Sequence, residues 1–125
     1  MRAARKLGLW APPIALMAVI FILSAQPSLS SGLGWIDHVG RKIVHAGEYA
    51  LLCFLWWRAL RTVMDRVAAL APAWAIAALY AASDEYHQRS VAGRHSTWID
   101  VMIDAMGASL FALLMFRAQR NRVPA

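Results

Sequence analysis

The chain has 125 residues, 60% of them hydrophobic, a single cysteine and a formal net charge of +6, with a mean hydropathy of +0.47. Its length fits one domain, and its apolar share exceeds the roughly 45–50% of soluble domains, so a membrane is the expected solvent and no nucleic-acid partner is expected. The lone Cys53 rules out an intrachain disulfide and leaves the redox compartment open.

Four apolar stretches follow one another, at about residues 7–25, 43–60, 67–82 and 98–116. At 1.5 Å rise per residue each spans about 24–28 Å, close to a hydrocarbon core of roughly 30 Å. The expected fold is therefore all-α, a polytopic membrane protein with a bundle of four transmembrane helices in one domain over residues 1–125.

The first stretch follows Arg2, Arg5 and Lys6 and contains Pro12-Pro13, a pair expected to begin or kink its helix. Ser24-Ala-Gln26-Pro27 closes it: Pro27 stops the helix, and Gln26 offers an amide to a head group, or simply caps the helix. A signal peptide is the lesser reading, because Leu-Ser-Ala before Gln26 is a poor cleavage site. On the second helix, His45, Glu48 and Tyr49 stand at i, i+3 and i+4 on one face, with Lys42 one turn outward. A carboxylate that orients an imidazole and supports its charged form suits general acid/base work. The plainer alternative is a polar pair that holds helices together.

The third stretch has no charge over residues 67–82 and then delivers Ser83-Asp84-Glu85-Tyr86-His87-Gln88. If the helix continues through these residues, Asp84 and His87 repeat the carboxylate/imidazole pairing at i, i+3, with Gln88 on the same face; a solvated helix end is the alternative. Arg94 follows in a loop, where its planar fork suits a phosphate; a plain surface cation is the alternative. On the fourth helix Asp100, Asp104 and Gly107 share a face. Asp104 lies about 9 Å past Trp98 by helical rise, a depth at which a carboxylate marks a functional position by default. It is expected either to take a partner from another helix, Lys42 or a histidine, or to stay protonated, whereas Glu48 has His45 one turn away.

Charge sorts these elements by side. Nine cations (Arg2, Arg5, Lys6, Arg58, Arg61, Arg66, Arg117, Arg120, Arg122) and Asp65 belong to one side, net +8. Arg41, Lys42, Arg89 and Arg94 with six carboxylates belong to the other, net −2. Cytoplasmic flanks carry the excess of Lys and Arg, so both termini are expected in the cytoplasm, with residues 26–41 and 83–97 facing outward.

Ser24-x-Gln26-Pro27, His45-x-x-Glu48-Tyr49, Ser83-Asp84-Glu85-x-His87-Gln88, Gly93-Arg94 and Asp100-x-x-x-Asp104-x-x-Gly107, in this order, resemble the VanZ-like family, named for a teicoplanin-resistance protein. The resemblance covers about residues 10–116; Ala92 departs from it where the family often has Pro. It implies a small multi-pass protein of the bacterial inner membrane, in a family proposed to act on lipid-linked phosphates.

Three functions fit these residues. One is a head-group transferase or hydrolase acting on a phospholipid or polyprenyl-phosphate lipid at the outer leaflet. His45 and Glu48 would form one acid/base pair there and Asp84 and His87 a second, supported by Asp100 and Asp104. Gln26, Lys42, Tyr49, Gln88 and Arg94 would bind substrate, with Lys42 and Arg94 neutralising phosphate. The second is a non-catalytic envelope binder or shield that alters glycopeptide susceptibility, and the third a small proton-coupled transporter. The expected partners are membrane lipid and a lipid-linked substrate; the sequence gives no oligomeric state. No cofactor is called for. Two converging carboxylate/His pairs leave room for a divalent ion, against which the Arg and Lys surroundings argue.

Overall fold

A computed structural model of the chain describes residues 2–24, 35–89 and 98–122. Four helices account for nearly all of them: α1 (Arg2–Ser24), α2 (Trp35–Leu60), α3 (Leu70–Arg89) and α4 (Trp98–Arg122). The described residues are thus all-α. Neighbours in sequence run antiparallel. Arg58, near the end of α2, donates from Nη2 to the carbonyl of Gly8 near the start of α1 at 2.7 Å, and Trp74 of early α3 donates to Ser109 of late α4 at 2.7 Å. Helices α2, α3 and α4 all pack on one another, α2 most extensively on α4, while α1 lies against α2 and α3 and does not touch α4.

Small side chains explain how closely these helices approach. Ala69, Ala73, Ala77 and Ala81 recur every four residues and are all buried, a ridge along one side of α3 that lets neighbouring backbones come near. Gly107 does the same on α4: a Cβ there would lie 2.0 Å from the carbonyl oxygen of Ala46 on α2. Larger groups fill the middle, where Ile20, Tyr49, Leu52, Cys53 and Trp57 are buried. Phe54, Trp57 and Phe111 form an aromatic triangle with centroids 5.7–6.3 Å apart, spacings at which aromatic pairs attract. Many large apolar side chains instead face outward, including Leu7, Ile14, Ile43, Leu79, Met106 and Leu110.

Helix limits differ from the expected ones at several ends; α3 and α4 run on past residues 82 and 116 to Arg89 and Arg122. α2 begins at Trp35, well before residue 43, because Asp37, Arg41 and Lys42 interrupt hydropathy without interrupting a helix. α3 begins at Leu70 rather than 67. Asp65 caps the turn before it: its Oδ2 accepts from the backbone N–H groups of Val67 and Ala68 at 3.1 and 3.3 Å and its carbonyl from that of Ala69 at 2.8 Å, while the tighter bond from Leu70 N–H to the Val67 carbonyl at 3.1 Å separates this turn from the regular helix. α1 starts at Arg2 and runs through Pro12 and Pro13 to Ser24, so the proline pair does not begin it; Pro13 is fully enclosed. Two helical segments, Ala3–Leu23 and Trp98–Asn121, are long and apolar enough to cross a membrane.

Candidate functional site

Because α3 continues through Arg89, Asp84, Glu85 and His87 are helical, and the antiparallel arrangement brings them to the same end of the bundle as the start of α2, the start of α4 and the end of α1. Lys42 of α2 pairs with Asp100 of α4, Nζ to Oδ1, at 2.5 Å. One turn deeper on α2, His45 Nδ1 lies 3.7 Å from Glu48 Oε2, too long for a hydrogen bond and near enough for attraction when the imidazole is charged. The next residue inward, Tyr49, is fully buried and donates its hydroxyl to Asp84 Oδ2 of α3 at 3.4 Å. Three consecutive positions of the α2 face therefore engage α4, α2 itself and α3 in turn.

Asp104 is only 7% exposed, with Asp84, Asp100, Glu48 and Lys42 as its charged neighbours. Of the partners expected for it, Lys42 is a neighbour but pairs with Asp100, one helical turn nearer the end of the bundle, and no ion pair to Asp104 exists among the described residues. Asp84 is 4% exposed. His87 is half-buried and stacks on Phe21 of α1, centroids 4.2 Å apart and planes inclined by 24°, so α1 also contributes to this end. Gln88 lies on α3, but its side chain is outside the described part of the structure, and Gln26 and Arg94 lie outside the described residues altogether.

One residue of this end was not singled out from the sequence. Glu85 is 5% exposed, continuing the four-residue ladder of Ala69, Ala73, Ala77 and Ala81 by one step. That spacing was the available signal, since any residue on the ladder faces the neighbouring helices.

The arrangement gathers carboxylates, two imidazoles and an ammonium from three helices, with a tyrosine hydroxyl buried among them. Where water is scarce, such groups can hold and pass protons and bind an ionic head group, since charge interactions strengthen as the effective dielectric falls. Among the described residues no group of three His, Cys, Asp or Glu side chains is placed to hold a metal ion. The other end of the bundle is different in kind. Arg58 binds the Gly8 carbonyl, Arg61 lies over the Trp57 ring at 4.8 Å, and Arg66 of the α2–α3 connection and Arg117 and Arg120 of the last turns of α4 belong to the same end.

No curated protein and no solved structure was found to match the chain. The family model described as VanZ/LLP1 matches residues 9–119, a span that takes in every residue of the site just described. The chain belongs to the VanZ/LLP1 family.

Proposed function

We propose that the protein is an integral membrane protein that acts on phosphate-containing lipid head groups, phospholipid or polyprenyl-phosphate-linked, at the outer leaflet by acid/base chemistry. The observation that carries this reading is the gathering of His45, Glu48, Asp84, His87, Asp100 and Lys42 at one end of the bundle, while arginines hold the other. Two helices long and apolar enough to cross a membrane and the many outward-facing apolar side chains support the placement in lipid.

In this reading one imidazole removes the proton from water or from an acceptor hydroxyl as its oxygen attacks phosphorus. The bond to the leaving head-group oxygen breaks, and that oxygen takes up a proton from the second acid. Glu48 orients His45 and stabilises its charged form. Lys42, shared with Asp100, and Arg94 balance the phosphate. Tyr49 acts from within, holding Asp84 rather than touching substrate.

The test compares the lipids of cells that make the protein, its His87→Ala variant, its His45→Ala variant or none. A head-group change present with the parent chain and lost in either variant, at equal protein levels, is expected. An unchanged lipid profile with the parent chain overturns catalysis, and retention of a phosphate lipid on the purified protein would then identify a binder.

A further inference from the structure

Away from the carboxylate-rich end, the start of α3 and the end of α4 flank an open, shallow cleft of about 440 Å³, within the roughly 300–1,000 Å³ of small-ligand sites. Its walls include Leu70, Ala71, Trp74, Ser109, Ala112 and Phe116. The two polar side chains among these are already used. Trp74 Nε1 donates to Ser109 Oγ at 2.7 Å, and Ser109 Oγ donates to the Ala105 carbonyl at 2.7 Å. The cleft therefore offers an occupant no polar partner from these side chains. Along α4 it extends from Ser109 to Phe116, about 10 Å by helical rise.

Two arginines adjoin its lining in the sequence. Arg66 precedes the lining residue Val67, and Arg117 follows the lining residue Phe116. Both arginines are exposed and make no ion pair among the described residues. Asp65, the nearest acid in the chain, has its Oδ2 occupied by the backbone N–H groups of Val67 and Ala68. An apolar groove whose lining residues are followed or preceded in sequence by two exposed arginines without an ion pair among the described residues complements a molecule with a hydrocarbon tail and an anionic head.

We propose that this cleft is a binding site for an anionic phospholipid, one acyl chain lying between α3 and α4 and the phosphate held by Arg66 and Arg117. The site rests on the membrane placement given above and is independent of the head-group chemistry at the other end. In the expected orientation it takes its lipid from the cytoplasmic leaflet.

The full chain, purified in detergent with an equimolar mixture of phosphatidylglycerol and phosphatidylcholine, tests this through the lipid it retains. Each basic residue near an anionic head group is worth about fivefold, so phosphatidylglycerol should be enriched at least about fivefold. Arg66→Gln with Arg117→Gln should bring the ratio close to one. Ala112→Trp should lower the retention of both lipids by filling the cleft, and Ala71→Leu fills it from the opposite wall should the larger change prevent folding. A parent ratio near one, or filling variants that hold as much lipid as the parent, overturns the site. A dimer that holds no lipid and is dissociated by the filling variants also overturns it and assigns the cleft to a second copy of the chain. Extraction of the protein from membranes at alkaline pH would instead defeat the membrane placement itself.

Discussion

At Gly107 a single hydrogen atom decides whether two helices can meet. A Cβ there would lie 2.0, 2.7 and 2.9 Å from the O, C and Cα atoms of Ala46. All three are backbone atoms, so no rotamer change relieves the clash. Gly107→Ala is expected to destabilise the protein by about 1–3 kcal/mol, the usual cost of overpacking, and to part α2 from α4 where Lys42 reaches Asp100. Gly47 is the internal control: it neighbours Ala46 in sequence, yet nothing lies within 4 Å of a Cβ built on it. Gly47→Ala should stabilise α2 by up to about 1 kcal/mol through helix propensity. Thermal unfolding of both variants in the same detergent decides the matter, and a Gly107→Ala protein as stable as the parent would show that the crossing is not close-packed. The Asp100, Asp104, Gly107 spacing was visible in the sequence; that Gly107 meets the backbone of Ala46 was not, because nothing in one helix names the residue it crosses.

Among the elements, α1 stands apart, since it packs on α2 and α3 but not on α4. Its attachments include Arg58 to the Gly8 carbonyl, the Trp10–Trp56 edge contact at 6.2 Å, the hydroxyl of Tyr80 donating to the Met17 carbonyl, Phe21 against His87 and the burial of Ile20 in the core. Tyr80→Phe keeps the ring and removes one hydrogen bond, with an expected loss of about 0.5–1.5 kcal/mol. The loss should be local. Hydrogen exchange should rise in peptides of α1 and stay constant in α4; equal acceleration in both would mean that the four helices open as one unit. The number and order of the helices were legible from hydropathy because each carries a long apolar run. Their ends were not, for two physical reasons. Charged residues such as Arg41 and Lys42 are helix-compatible and so do not mark the start of α2, while the apolar residues 67–69 form a turn held by Asp65, which hydropathy reads as helix.

Over the whole molecule, the antiparallel order of four helices turns a sequence alternation of charge into two unlike ends, one rich in carboxylates and histidine, the other in arginine. The i, i+3 and i+4 spacings on α2 and α3 made most of the first end legible before any contact was known, since residues so spaced share a helix face. Which group pairs with which was not legible: Lys42 could reach either Asp100 or Asp104, and only the register of α2 against α4 selects Asp100. The same separation of charge carries the prediction of orientation. Lys and Arg are retained on the cytoplasmic side of the membrane, so the arginine end and both termini should lie inside, with the carboxylate end outside. Single cysteines at Ser31 and Ala125, introduced into a Cys53→Ala background, report this with a membrane-impermeant thiol reagent; the native Cys53 is fully buried, so its removal serves to exclude labelling after partial unfolding. Ser31→Cys should react in intact cells, and Ala125→Cys only after permeabilisation. The reverse pattern would turn the bundle over and place the histidines, carboxylates and any head group they act on at the inner leaflet. Equal reaction of both positions from outside would contradict an even number of crossings, and with it the four-span arrangement on which the outer-leaflet site depends.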